Sequence, residues 1–197
     1  MSSPVDALKA LQFFSTIGTL KTLKRTGWVD NEVSLPESVA DHMYRMTMMC
    51  FALSDSSVDK MRLVKICLCH DLAEAIAGDI TPTEHSGVSK EKKRKLEEDA
   101  LETIVQDLDG CGALGSEIRG LWYEYEERST AESKLASQLD KFEMIVQADE
   151  YEKQHAADGK RLESFFSYTE GYFTHPEVGA WDKALRAARD ERWAKCA

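Results

Sequence analysis

An all-α fold is what this 197-residue sequence predicts, and three observations carry the prediction. Pro (4) and Gly (11) are scarce, so few breakers interrupt the chain. β-Branched runs with two-residue alternation are absent. Apolar residues recur instead at spacings of three and four, the period of a helix that buries one face.

The elements follow in order. Leu8, Leu11, Phe14 and Gly18 step by three, three and four, with Asp6 placed to cap the start. Gly27 and Asp30-Asn31-Glu32 mark a loop. Pro36-Glu37-Ser38 opens a second helix, where Ser38 and Asp41 match a capping box with Asp in place of the usual Glu. A third helix is expected over 58–77, closed by Gly78. Thr81-Pro82-Thr83 and His85-Ser86-Gly87 read as loop. A charged helix follows over 89–108, then a turn at Gly110-Cys111-Gly112. Further helices are expected over 114–127, 131–155 and 176–194, with a shorter piece over 161–166. No internal repeat or long linker divides the chain. The expectation is a single domain over 1–197, a helical bundle with its core over about 8–155 and a C-terminal helical extension over about 159–195.

Composition narrows the function. Apolar residues make up 43% and charged residues 30%, enough for a real core. Lys and Arg number 25 against 35 Asp and Glu, a net charge of −10, which argues against a protein that wraps a nucleic-acid polymer. The basic run Lys90–Lys95 is broken by Glu91 and followed by Glu97, Glu98 and Asp99, the pattern of a solvated helix face. Any anion must therefore be bound by a local device. No stretch approaches the length of a membrane span, so no membrane partner is expected. Five cysteines, an odd number in no framework spacing, indicate a reducing, cytoplasmic setting.

The chemistry concentrates in the third expected helix. From Leu63 to Leu72 it is almost wholly apolar, so it should run through the core and carry His70, Asp71 and Glu74 inward along one side. Ionisable groups enter a core only when paired or bound to metal. Asp79 follows Gly78 closely enough to reach the same pocket. His42 shares an inward stripe with Met46, Met49 and Leu53, and Asp140 lies between Ala136 and Met144. Two imidazoles and two carboxylates make a mixed N/O set suited to a divalent transition ion. Taken alone, the His-Asp dipeptide reads first as a core histidine capped by its neighbour, and only the added residues favour metal.

Three segments then carry a resemblance: Ser38-Val-Ala-Asp-His42-Met-Tyr-Arg, the run from His70-Asp-Leu-Ala-Glu to Asp79-Ile-Thr-Pro82, and Leu139-Asp-Lys-Phe-Glu-Met-Ile-Val. Together they resemble the HD-domain 5′-deoxynucleotidases, on the side of the eukaryotic HD domain-containing protein 2 branch. The likeness runs from about Leu8 to His155. It implies an HD-domain helical bundle with His42, His70, Asp71 and Asp140 as metal ligands. It implies that Glu74 and Asp79 flank the attacking water and the leaving group, and that Glu74, Asp79 and Ile80 could serve a second metal position. The implied cofactor is a divalent cation of the manganese or cobalt kind. Arg25 and Trp28 correspond in kind to an adjacent Arg and Trp that orient phosphate and favour deoxyribose in bacterial relatives; here Thr26-Gly27 separates them. Asp79, Ile80, Thr81 and Pro82 fall on the substrate-facing loop. The implied substrate is a 2′-deoxyribonucleoside 5′-monophosphate, hydrolysed to deoxynucleoside and phosphate by a homodimeric enzyme. The alternatives are an HD-type phosphohydrolase of nucleoside triphosphates or cyclic nucleotides, and a non-catalytic nucleotide-binding HD module. By residue type alone, Lys24 and Arg25 read as a solvated helix end.

Other residues read as structural. Cys67 and Cys69 sit about 200° apart on a helix and read as buried apolar residues rather than ligands. His85, His155 and His175 read as surface residues. Met43, Met46, Met48 and Met49 read most simply as core, with a Met-lined dimer surface as the alternative, and Trp181, Leu185 and Trp193 as packing either on the domain or on a second copy.

Overall fold

A computed structural model describes residues 6–81, 87–106, 108, 113–155 and 162–196. Ten α-helices order the described chain: α1 (Ala7–Gly18), α2 (Thr26–Asp30), α3 (Val39–Ala52), α4 (Lys60–Cys69), α5 (Glu74–Ala77), α6 (Lys90–Gln106), α7 (Leu114–Glu127), α8 (Ala131–Gln154), α9 (Glu163–Tyr168) and α10 (Pro176–Cys196). A 3₁₀ turn, Thr19–Lys21, follows α1. Among the described residues there is no strand, only an isolated bridge between Lys24 and Ser38. No helix among them is long and apolar enough to cross a membrane.

Local chemistry explains most boundaries. The Asp6 carboxylate accepts from Leu8 and Lys9 and so caps α1. Ser38 and Asp41 complete the expected capping box of α3, each side chain accepting from the other's backbone. Asp59 caps α4 through Met61 and Arg62, and Thr130 with Ser133 boxes α8. Several helix ends shift by one or two residues, as with α9 at Glu163–Tyr168 rather than 161–166, and two elements differ more substantially from the sequence expectation. Gly27 lies inside the short helix α2 rather than in a loop, because the Trp28 ring beside it is anchored in the core at 2% exposure. The single helix expected over 58–77 is broken between Cys69 and Glu74. There the backbone tightens to three-residue bonds, Leu72 to Cys69, Glu74 to Asp71 and Ala75 to Leu72. In that geometry residues three apart eclipse, so Asp71 and Glu74 fall in line. Gly78, at φ +80°, then ends α5 in a conformation that glycine adopts without strain.

α8 is the axis of the bundle. Leu135, Ala136, Leu139, Phe142, Ile145, Ala148 and Tyr151 are buried along it against Met46 and Cys50 of α3 and Leu63, Ile66 and Cys67 of α4. Leu162, Phe166 and Val178 join the same core, so the C-terminal segment packs as part of it. A second cluster gathers Leu20, Val39, Met43 and Leu72 with Leu101, Ile104, Ile118 and Trp122 of α6 and α7. The ionisable residues lie where the two clusters meet.

Several residues read as structural settle differently. Cys67 is buried, its Sγ 3.5 Å from Cys50 Sγ, whereas Cys69 is half-buried. Met43 and Met46 are core, Met49 is half-buried against it, and Met48 is 48% exposed. His175 is not a free surface residue: its Nε2 lies 3.1 Å from Asp55 Oδ2, and the ring is half-buried. His155 is likewise half-buried, whereas His85 lies outside the described residues. Trp181 and Leu185 pack on the domain core, and the Trp193 indole donates to Glu152 at 3.0 Å.

Candidate active site

Three elements bring four of the expected residues to one point. His42 comes from α3, His70 and Asp71 from the tightened turn after α4, and Asp140 from the middle of α8. Ligand atoms of His42, His70 and Asp71 lie within 4.8 Å of one another. Asp140 Oδ1 is 3.3 Å from His42 Nε2, and Asp71 Oδ2 is 3.1 Å from His70 Nε2.

The backbone and a neighbouring carboxylate decide which ring nitrogens face this point. His70 Nδ1 lies 2.9 Å from the Cys67 carbonyl, which can only accept, so Nδ1 carries the proton and Nε2 presents its lone pair. His42 Nδ1 lies 2.5 Å from Glu143 Oε2, and both side chains are fully buried. Both Nε2 atoms are buried without a hydrogen-bond partner. Two orphaned imidazole nitrogens converging on two carboxylates form a donor set that fits a divalent ion. Glu143 is itself held: its Oε1 is 3.0 Å from Arg45 Nε, and Arg45 also binds Glu150 at 2.8 Å and Gln147. Glu37, His42 and Glu143 also form a compact buried group.

Charges around the point are strongly interdependent. Burial works against ionising Asp71, but His70, Arg25 and His42 overcome it and hold the carboxylate well below its ordinary range. Asp140 is held down in the same sense, with Lys141 and His42 offsetting burial, and Lys141 Nζ is 3.0 Å away. The Tyr125 hydroxyl donates to Asp140 Oδ2 at 2.8 Å, and its ring lies 4.8 Å from that of His70. Burial and the charges of Asp71 and Asp79 push the Glu74 carboxyl well up, favouring its protonated form.

This point is the floor of a cavity of about 510 Å³. Arg25, Trp28, Glu74, Asp79, Ile80 and Thr81 all line it, whereas Pro82 lies outside the described residues. Arg25 is no solvated helix end. Its Nη1 donates to Asp71 Oδ2 at 3.2 Å, its Nη2 lies 3.9 Å from Asp140 Oδ1, and these acids with Asp79 and Glu74 outweigh burial to keep it charged. Asp79 is pinned by Thr26, whose N–H donates to Oδ2 and whose hydroxyl donates to the Asp79 carbonyl, both at 2.6 Å. Trp28 reaches the cavity only in part. Its indole donates to Glu37 Oε1 at 2.8 Å, and its ring packs between Tyr151 and Phe165. Lys93 is also no solvated face residue: it lines the cavity and lies 3.3 Å from Glu97.

Sequence reasoning passed over Thr26, Lys93, Tyr125, Lys141, Glu143 and Phe165. For Glu143 a signal existed, because it follows Asp140 by three residues on one helix and so shares its face. Tyr125 and Phe165 come from separate elements and carried no comparable signal. The whole arrangement can hold a cation and neutralise an anion beside it.

The chain is similar to known proteins over most of its length. The family model described as HD domain matches residues 17–178. A relative from Danio rerio, named 5′-deoxynucleotidase HDDC2, is 49% identical over 91% of this chain and 87% of its own. The Homo sapiens protein of that name is 44% identical over 97% and 91%, and Schizosaccharomyces pombe 5′-deoxynucleotidase hdd1 is 40% identical over 95% and 94%. Among solved structures, a conserved hypothetical protein from Pyrococcus furiosus superposes with a TM-score of 0.71 at 28% identity, covering 91% of this chain and 99% of that one.

Proposed function

The chain belongs to the HD domain family, among its 5′-deoxynucleotidases, and from that premise we propose that it is a divalent-metal-dependent phosphomonoesterase of 2′-deoxyribonucleoside 5′-monophosphates. The observation that carries this reading is the convergence of two orphaned imidazole nitrogens with Asp71 and Asp140 on the floor of a cavity that Arg25 enters.

In this reading His42, His70, Asp71 and Asp140 hold the ion, and Glu74, Asp79 and the Ile80 backbone are the residues for any second one. The ion, when bound, acidifies water and draws phosphate into an otherwise anionic pocket. Arg25 offers two guanidinium nitrogens to the phosphate oxygens and offsets charge as the phosphorus–oxygen bond opens. Water adds its oxygen to phosphorus, the bond to the 5′-oxygen breaks, and its electron pair stays on that oxygen. Asp79, fixed by its two Thr26 hydrogen bonds, takes the proton of the attacking water. Glu74, whose protonated form burial favours, gives a proton to the departing 5′-oxygen. Deoxynucleoside and phosphate leave. Trp28 and the Asp79–Pro82 segment belong to the sugar side of this reading, supported by the part of that surface which lines the cavity.

The single-domain division over 1–197 is supported by Leu162, Phe166 and Val178 sharing the core of α8. A homodimer is supported by Leu8, Leu11 and Phe14, which α1 leaves exposed at 77, 63 and 59%. A cytoplasmic setting is supported by the unbridged thiols of Cys50, Cys67 and Cys69.

The test is a phosphate-release panel of deoxy- and ribonucleotides with manganese, cobalt or magnesium ions added to chelator-treated protein. Phosphate should be released from deoxynucleoside monophosphates only when an ion is restored, and His70→Ala or Asp71→Ala should lose bound ion and turnover together. Release of pyrophosphate or triphosphate instead, or no release at all, would overturn the reading.

A further inference from the structure

The walls of the cavity are chemically divided. On the side of α6 and α7 it is lined by Lys90, Lys93, Arg94, Glu97 and Glu126. On the side of α8 and α9 it is lined by Met144, Phe165 and Tyr168. The Phe165 ring is backed firmly: its centroid lies 4.5 Å from that of Trp28 with the planes 33° apart, and Trp28 is itself only 2% exposed. Three residues further along α9, Tyr168 is 68% exposed at the margin of the same cavity. Lys141, 3.0 Å from Asp140, lines the same cavity.

A nucleoside monophosphate is divided in the same way, with a dianionic end and a flat, weakly polar base. Its phosphate end belongs with Arg25 and the ion ligands. Its base must then lie against one wall or the other. Laying a base face on the charged wall would strip water from several Lys and Glu side chains without replacing their hydrogen bonds. The aromatic wall asks for no such loss and offers ring faces for stacking.

We propose that Phe165 and Tyr168, with Met144 beside them, form a stacking shelf for the nucleobase of the substrate. The proposal rests on the nucleotide reading above and extends it to a base subsite on the C-terminal segment. Stacking engages the π-face that every base carries, so the shelf accepts all bases and favours the larger purines.

Tyr168→Ala is the variant to use, because this side chain is exposed, whereas Phe165 supports Trp28. The ligands are 2′-deoxyadenosine 5′-monophosphate and 2-deoxyribose 5-phosphate, which keeps the phosphate and sugar but has no base. Dissociation constants by calorimetry and KM values by phosphate release are measured with manganese ion present. Tyr168→Ala should weaken the nucleotide about fivefold or more, the loss expected for one stacking partner, and leave the base-free ligand unchanged. Tyr168→Phe should recover most of the lost affinity. Equal nucleotide affinity in wild type and Tyr168→Ala would overturn the shelf, as would parallel weakening of both ligands. Failure of the nucleotidase reading would look different: wild type would bind the nucleotide without releasing phosphate, and the binding comparison would still decide the shelf.

Discussion

Replacing Glu143 by Gln tests how the His42 end of the ion site is built. In the native arrangement one Glu143 oxygen lies 2.5 Å from His42 Nδ1 and the other 3.0 Å from Arg45 Nε. A carboxylate accepts from the His42 ring on one side and balances the Arg45 cation on the other, where the contact is an ion pair rather than a hydrogen bond. An amide cannot do both. If its oxygen turns to His42, its NH2 group faces the Arg45 guanidinium, which loses the charge it was paired with. If its NH2 group turns to His42, the ring must move its proton to Nε2, the atom that faces Asp140 and Asp71. Water cannot relieve either conflict, since Glu143 and His42 are 0% exposed. Loss of the partner that orients an imidazole ligand typically costs about 10- to 100-fold in metal affinity, or about 1.4–2.7 kcal/mol. We expect a loss in that range for Glu143→Gln, measured by competition with a metallochromic chelator. Turnover should be largely restored at saturating ion. The reasoning is refuted if Glu143→Gln unfolds at lower temperature yet binds the ion as tightly as wild type, for then Glu143 is only a core partner of Arg45.

Three more outcomes can be checked on the same protein. Glu74→Gln should lower kcat on the order of 10²-fold or more with most ion affinity intact, since it removes a proton carrier; a change confined to KM would make Glu74 a substrate contact. Trp28→Phe gives up the 2.8 Å hydrogen bond to Glu37 and should cost about 1–3 kcal/mol in chemical denaturation. If the indole also bounds the sugar space, the same variant narrows the deoxy-to-ribo ratio of kcat/KM about tenfold; an unchanged ratio moves that discrimination to Asp79–Thr81. Burial, helped by Asp71 and opposed by Lys93, pushes the Glu97 carboxyl from 4.5 up to about 7. A folded value above the unfolded one gives stability that is complete below 4.5 and lost as pH rises through about 7. Glu97→Gln should therefore stabilise the protein by about 1–2 kcal/mol at pH 8 and leave it unchanged at pH 4, read as Tm against pH. Equal gains at both values would point to packing instead.

Much of the fold was legible because it depends on neighbours in sequence. Asp6, Ser38 with Asp41, and Gly78 mark helix ends through bonds that reach two to four residues, and α7 runs over the expected 114–127. Where a distant partner intervenes, local pattern failed. Gly27 suggests a loop, but Trp28 docked between Tyr151 and Phe165 keeps that stretch in α2. The run 58–77 has unbroken helical spacing, yet its hydrogen bonds change from a four-residue to a three-residue span between Cys69 and Glu74, where His70 and Asp71 turn inward.

The sequence by itself determined the helical class, most of the caps, the inward face of His42 and the motif that holds His70 and Asp71, because each is written in residue type and short-range spacing. Only the tertiary structure decided that α3, the broken α4–α5 segment and α8 bring His42, His70, Asp71 and Asp140 within a few ångströms. It alone decided that Arg25 turns in to Asp71 while Trp28 turns away into the core. Which residue fixes the His42 ring, and which rings wall the cavity, depend on contacts between residues a hundred or more positions apart, such as His42 with Glu143 and Trp28 with Phe165. Contacts at that separation are set by how whole helices pack, and packing of buried faces leaves no mark in the local pattern of either partner.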